Sequence, residues 1–184
     1  CGTLFPYTTL FRSILIGILS MNAAGYTGAI FYALALLLMK FTAFLVVVKV
    51  AYDGKNISVD QLAGLHRRSP LLAMALMLSL FGLAGIPPTI GFTGKLLLFT
   101  AAMKQGYFTL VLIAMINVVI SLYYYLLVIK AAYLTAPVGE QPDLEISPPM
   151  KILTGTLVTV MVVVGIYPTL FLDLAAAAAR MLMI

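Results

Sequence analysis

The stretch Pro70–Gly106 constrains the fold most, because it is apolar almost throughout and yet contains a pair of prolines. A continuous helix over residues 71–103 would be roughly 50 Å long, against a hydrocarbon core of about 30 Å. The segment GIPPTIGFTG in its middle removes backbone donors and tolerates unusual dihedral angles. We therefore predict one interrupted transmembrane helix over 70–106. Its hinge residues are Gly85, Pro87, Pro88, Gly91 and Gly94.

Lys95 lies just beyond this break, in the apolar second half of the stretch. It is far from either helix end, so its ammonium group cannot easily reach the lipid headgroups. Interrupted helices mark ion sites in transporters, and an ionisable residue at membrane depth indicates a functional site. We predict that Lys95 is a proton-relay residue. The alternative is a structural lysine bonded to backbone carbonyls freed by the break.

The composition is typical of an integral membrane protein. Of 184 residues, 63% are hydrophobic and 9% are charged, whereas soluble domains hold about 25% charged residues. The predicted fold class is therefore all-α, a polytopic bundle of transmembrane helices with one broken helix. The net charge of +5 comes from scattered basic residues, and without a basic stripe we expect no nucleic-acid partner. With a single cysteine and no Cys/His set at metal-ligand spacing, we expect no redox centre and no metal in this chain.

The other apolar runs give the remaining helices. Ile14–Met21 is too short to cross a bilayer and is interpreted as the end of a helix. Complete spans are predicted at about 27–52, 107–134 and 150–167, in addition to the broken span at 70–106. Residues 173–184, with their run of five alanines, are predicted to form a helical piece at the membrane surface.

The basic residues predict the orientation. Most of them lie in the polar loops at 53–69 and 135–149 or on the flanks of those loops. Basic residues in short loops favour the cytoplasm. We therefore expect both loops to face inward and the C-terminus to face outward.

Other polar residues in the spans are weaker candidates. Lys40 interrupts the first complete span near its middle, so it is a second relay candidate, although it could instead snorkel or pair with a polar group. Asn117, Ser121 and Tyr124 are expected to line a hydrated channel; the alternative for the tyrosine is simple packing. Tyr124 belongs to a run of three tyrosines, which cannot all share one face of a helix. His66, in a basic loop, is interpreted as an interface residue rather than a proton gate.

The first residues look foreign to the rest of the chain. Residues 3–13, TLFPYTTLFRS, resemble the translation of a short-read sequencing adapter, and the chain begins with Cys1 rather than methionine. We therefore expect residues 1–13 to be a non-native, adapter-derived segment and give them no weight in predicting the fold. Residues 14–184 then form the transmembrane domain.

Three segments carry a resemblance to a known family: LAGLHRRSPLLA at 62–73, LAGIPPTIGFTGKLLLF at 83–99 and ISLYYYLL at 120–127. From about residue 14 onward the chain resembles subunit N of the proton-pumping NADH–quinone oxidoreductase, respiratory complex I. The glycine–proline break with its following lysine is shared by other antiporter-like membrane subunits, whereas the tyrosine triplet points to subunit N. The resemblance implies a C-terminal fragment of a 14-helix antiporter-like subunit, with residues 14–184 as its proton-translocating domain.

The resemblance also implies roles for the two lysines. Lys95 matches the relay lysine of the family's broken twelfth helix. Lys40 departs from the family, in which a small or amide residue is more common at that position. The implied protein is a translocase subunit in the bacterial inner (plasma) membrane, in contact with lipid and with other membrane-arm subunits. It would bind no cofactor itself, since NADH, FMN, iron–sulfur clusters and quinone would lie in partner subunits.

Two other functions remain open. A subunit of a multisubunit cation/proton antiporter would share the broken helix and its lysine. A non-pumping structural subunit of the membrane arm would need neither lysine as a proton carrier. The tyrosine triplet and the short tail after the last span favour the subunit of the redox-driven pump over the antiporter.

Overall fold

The computed structural model describes residues 7–51, 59–136, 144 and 146–182. The ordered elements in these residues are all helical, which confirms the all-α prediction. They are α1 (Tyr7–Leu19), α2 (Ala23–Val50), a short 3₁₀ helix (Val59–Leu62), α3 (Leu65–Arg68), α4 (Pro70–Ala84), α5 (Ile90–Lys104), α6 (Phe108–Leu134), α7 (Pro148–Ile166) and α8 (Thr169–Leu182).

Three helices are long and apolar enough to cross a membrane. They are α2, α6 and α7, with 28, 27 and 19 residues, and they coincide with the spans predicted at 27–52, 107–134 and 150–167. Helices α4 and α5 have 15 residues each, about 22 Å, which is short of the hydrocarbon thickness. Together with the break at residues 85–89 they occupy the predicted span 70–106. The interrupted helix is confirmed.

Helix α2 lies at the centre of the bundle, where it packs against α1, α4, α5, α7 and α8. Asn22 caps its first turn, because the Asn22 side chain accepts a hydrogen bond from the Gly25 amide at 2.6 Å. Small residues let α5 approach closely. A Cβ atom on Gly94 would lie 2.7 Å from Cδ2 of Tyr32, so only glycine allows α5 to rest on this ring. Helix α2 therefore fixes the position of the break relative to the rest of the bundle.

The ends of the chain add two observations. Residues 7–13 form the beginning of α1, and their non-native origin stays a prediction. The last helix begins at Thr169, slightly earlier than expected, and it packs against α2 with Ala175 and Ala179 buried. Its placement at the membrane surface stays a prediction. Most of the loop at 135–149, and residues 52–58 of the first loop, lie outside the described residues.

Candidate functional site

The break between α4 and α5 begins with a Schellman motif. Gly85 adopts a left-handed conformation, with φ at 85°. The Gly85 amide donates to the Gly82 carbonyl at 3.0 Å, and the Ile86 amide donates to the Phe81 carbonyl at 2.9 Å. The next carbonyls along the helix are those of Leu83 and Ala84. Their helical donors would be residues 87 and 88, which are both proline and have no N–H group.

Lys95 satisfies these two carbonyls. Its Nζ donates to the Leu83 carbonyl at 2.7 Å and to the Ala84 carbonyl at 2.9 Å. The side chain is buried, with 7% of its surface exposed. A cation at the C-terminal end of a helix is favoured by the helix dipole. The ammonium group therefore connects the start of α5 to the end of α4. These are the hydrogen bonds expected if Lys95 is a structural lysine bonded to the carbonyls freed by the break.

Among the side chains that the structure describes, those around Lys95 offer dipoles rather than charges. Asp173 is the only acidic residue whose side chain the structure describes, and this side chain is exposed on α8. An ammonium group has three N–H donors, and the two carbonyls use two of them. One donor is left for a further partner.

Lys95 also lines a cavity of about 530 Å³ between α1, α2, α4, α5 and α6. Much of the wall is apolar, with leucine and isoleucine side chains from α1 and α6. Polar groups interrupt this wall, and they come from four helices. The polar side chains in the lining are Ser13, Tyr26, Tyr32, Lys95, Asn117, Ser121 and Tyr125.

The structure places two of the three residues expected to line a channel in this cavity. Asn117 and Ser121 line the cavity together with Lys95, but Tyr124 lies outside it with 56% of its surface exposed. Tyr125 takes its place. It lies four residues after Ser121 and eight after Asn117, so these three side chains form one stripe along α6. Tyr124 is rotated away from that stripe by about one third of a turn.

Lys40 is placed elsewhere. It is half-buried on α2 and does not belong to the cavity lining. Its neighbour Met39 is the residue that packs against the break, where it contacts Gly82 and Gly91. A relay role for Lys40 stays a prediction.

Two site residues were missed by sequence reasoning. Tyr32 and Tyr125 are 0% and 1% exposed, and both line the cavity. The spacing of Tyr125 from Asn117 and Ser121 is a signal that would have identified it. For Tyr32 the chain offers no such signal, because α2 is apolar around its whole circumference.

His66 does not belong to the cavity. Its Nδ1 lies 3.2 Å from the Ala132 carbonyl, and its ring stacks on that of Tyr133 at a centroid distance of 5.7 Å. Both partners are near the C-terminal end of α6. These contacts hold α3 against α6, and the interpretation of His66 as an interface residue stays a prediction.

Helix α7 supports the break from the other side. The Thr93 hydroxyl donates to the Gly165 carbonyl at 2.9 Å. A Cβ on Gly165 would overlap the Pro88 carbonyl oxygen and lie 2.6 Å from the carbonyl carbon of Thr89. The backbone of α7 thus rests directly on the backbone of the break.

We expect Gly165→Ala to destabilise the protein, because either α7 or the break must move to admit the methyl group. The expected cost is about 1–3 kcal/mol, seen as a lower midpoint of thermal unfolding in detergent. Gly155→Ala on the same helix is the matched control, since a Cβ there has no atom within 4 Å among the described residues. Equal midpoints for the two variants would show that the contact with the break does not matter.

Comparison with known proteins decides the family. The model of the family described as "NADH:quinone oxidoreductase/Mrp antiporter, TM" matches residues 13–121, more than half of the chain. The chain belongs to this family. The matched region of this antiporter-type membrane domain contains the break, Lys95 and the first part of α6.

Curated relatives of this domain are bacterial subunits named for the oxidoreductase. NADH-quinone oxidoreductase subunit N 2 of Syntrophobacter fumaroxidans is 64% identical over 182 residues, covering 98% of this chain and 39% of the relative. The subunit N 2 of Solidesulfovibrio magneticus is 43% identical, covering 92% of this chain and 36% of the relative. The resemblance to subunit N is confirmed. The chain spans less than two fifths of the length of these relatives.

Solved structures of the same fold come from two kinds of complex. The chain superposes on the Mrp complex from Dietzia sp. DQ12-45-1b with a TM-score of 0.79 at 24% identity, covering 90% of this chain and 39% of the other. It superposes on respiratory complex I from Thermus thermophilus with a TM-score of 0.73 at 26% identity, covering 88% and 36%. The antiporter-like architecture, an integral membrane bundle, is thereby established for this chain.

Proposed function

We propose that this chain is part of a proton-translocating membrane subunit of a bacterial NADH–quinone oxidoreductase, and that Lys95 carries the proton. The observation that carries the proposal is the placement of the Lys95 ammonium group. It is buried at a helix break, held by two carbonyls, and it borders a cavity with polar groups. The names of the relatives support the choice of complex.

The geometry lets Lys95 change its charge without loosening the break. A neutral amine has two N–H donors and one lone pair, so both carbonyls keep their hydrogen bonds after the third proton leaves. The lone pair then takes the direction of that proton. Lysine suits this role because its ammonium group responds to burial, whereas a guanidinium group stays charged.

Transport of a proton against the membrane potential requires a driving force. Moving one charge through a membrane potential of 100 mV costs about 2.3 kcal/mol. In our proposal this free energy comes from electron transfer and quinone reduction in partner subunits. NADH, FMN, the iron–sulfur clusters and quinone belong to those partners, and other membrane-arm subunits contact this chain. The C-terminus faces outward.

The runner-up function is a subunit of a multisubunit cation/proton antiporter. This chain shares its fold with a chain of the Mrp complex. The identity to that structure is 24%, against 64% for the subunit N of Syntrophobacter fumaroxidans. A purely structural role also has one observation in its favour, namely the hydrogen bonds of Lys95 to the carbonyls of the break. Proton pumping by assembled complexes in which Lys95 is replaced separates the two roles. A loss of pumping supports translocation by Lys95, and unchanged pumping supports the structural role.

Lys40 gives a second test. We expect Lys40→Asn to lower the number of protons pumped per NADH oxidised if Lys40 takes part in the relay, because an amide cannot carry the charge. The matched control is Lys49→Asn, at the end of the same helix. Pumping by Lys40→Asn at the level of the control would remove Lys40 from the proposed relay and leave Lys95 as its member in this chain.

A further inference from the structure

Among the described residues, two buried hydroxyl groups in the cavity beside Lys95 have no hydrogen-bond partner. They are the hydroxyls of Tyr32 and Tyr125, and no described group lies within hydrogen-bond geometry of either one. Ser13 lines the same cavity near Tyr32, but outside that geometry. Most buried polar groups in proteins have a partner, and an unpaired one is costly. Two such hydroxyls in one cavity therefore indicate a site that suits a small hydrogen-bonding molecule.

The cavity has the room and the polarity that water requires. Its volume of about 530 Å³ is far larger than the roughly 30 Å³ that one water occupies in the liquid, and an internal water needs two to four polar partners. Five polar side chains from α2, α5 and α6 can supply them: Tyr32, Lys95, Asn117, Ser121 and Tyr125.

These side chains retain capacity for further hydrogen bonds. The Ser121 hydroxyl donates to the Asn117 carbonyl at 2.8 Å, which leaves its oxygen as an acceptor. The Asn117 amide nitrogen donates to the Ile113 carbonyl at 3.0 Å, which leaves the side-chain oxygen as an acceptor. Each phenol can donate and accept at once. Lys95 has one donor left.

We propose that the hydroxyls of Tyr32 and Tyr125 bind water in this cavity and that this water delivers the proton to Lys95. The inference rests on the proposed function for the second part, whereas the water site itself does not depend on it. When the proton arrives, an O–H bond of the water breaks and an N–H bond forms on the neutral amine of Lys95. The water regains a proton from a second water, which accepts no proton from the side chains but is itself replenished along a chain of waters that ends at bulk solvent; the Ser121 and Asn117 oxygens accept hydrogen bonds from these waters. The phenols stay protonated and neutral throughout, because each holds the water by donating and accepting.

The positions of the two rings fit this role. Tyr32 rests on the backbone of Gly94, the residue before Lys95, with no space for a side chain between them. Tyr125 ends the stripe of Asn117 and Ser121 on α6. The water would thus lie where the face of α6 meets the start of α5.

The test compares Tyr32→Phe, Tyr125→Phe and the double variant in the assembled complex. The matched controls are Tyr123→Phe and Tyr124→Phe, which make the same change at exposed positions of α6. Removing a hydroxyl that binds water is expected to lower the midpoint of thermal unfolding. Removing a hydroxyl that is truly unpaired in a dry cavity would raise it. If both rings hold the same water, the two midpoint shifts are also non-additive.

The second measurement is proton pumping per NADH oxidised in vesicles. We expect both single variants to pump less than the controls, and the double variant to pump as little as Lys95→Met. A raised midpoint with pumping equal to that of the controls would overturn the inference, even if Lys95→Met is inactive. If Lys95→Met pumps normally, the proposed function fails, and a lowered midpoint for the phenylalanine variants would still support the water site.

Discussion

Lys95→Arg is expected to abolish proton pumping in a complex that still assembles. A guanidinium group has enough donors to reach both the Leu83 and Ala84 carbonyls, which Lys95 holds at 2.7 and 2.9 Å. It cannot release a proton in a protein. Lys95→Met removes charge and donors together and orphans both carbonyls, at a cost of about 1–3 kcal/mol each. We therefore expect Lys95→Met to lose pumping and also to accumulate less assembled complex.

The measurement is the number of protons translocated per NADH oxidised in reconstituted vesicles, with assembly followed on native gels. Lys104→Met is the matched control, since Lys104 is exposed at the end of the same helix. Normal pumping by the assembled Lys95→Arg complex would show that Lys95 acts only by satisfying the break. Normal pumping by Lys95→Met would show that proton translocation does not require a proton carrier at position 95.

Gly85→Ala is expected to have the second largest effect, because it combines two costs. Gly85 has a φ of 85°, a conformation that costs an ordinary residue about 1–2 kcal/mol. A Cβ there would also lie 2.9 Å from Cδ of Lys95 and 3.3 Å from its Nζ. The methyl group must push the lysine away from its carbonyls. We expect less assembled complex, and lower pumping by the complex that does form.

Gly106→Ala separates the two costs. Gly106 has a similar φ of 81°, but a Cβ there has no atom within 4 Å among the described residues. The Gly106→Ala variant therefore measures the cost of backbone strain without a steric contact. If Gly85→Ala and Gly106→Ala lower the thermal midpoint equally and both pump normally, contact with Lys95 would be irrelevant at Gly85.

The break and the spans could be predicted from sequence because they depend on local properties. Two adjacent prolines cannot continue a helix, whatever surrounds them, and the length of an apolar run decides whether it crosses a bilayer. Lys95 was identified for the same reason, as an ionisable group far from any interface. The alternative that it bonds freed carbonyls also followed from the missing N–H groups of Pro87 and Pro88.

The cavity could not be predicted, because it depends on which faces of the helices meet. Helices α2 and α4 show no periodic pattern that marks a buried side. On α6 the spacing of Asn117, Ser121 and Tyr125 does mark one face, and it favours Tyr125 over the predicted Tyr124. Tyr32 is buried by the close approach of α5 at Gly94, a contact between residues far apart in the chain. The resemblance to a family supplied the role of Lys95, but not these neighbours.

The hydrogen bonds of Lys95 join residues only 11 and 12 positions apart. A charged residue at the centre of a helix entering the bilayer costs about 2.5–3.5 kcal/mol. In this chain the inserted segment itself contains the groups that offset this cost, because the Leu83 and Ala84 carbonyls that bind the ammonium group precede Lys95 in the same segment. The two hydrogen bonds can therefore form within the α4–α5 segment itself, before any neighbouring helix has docked.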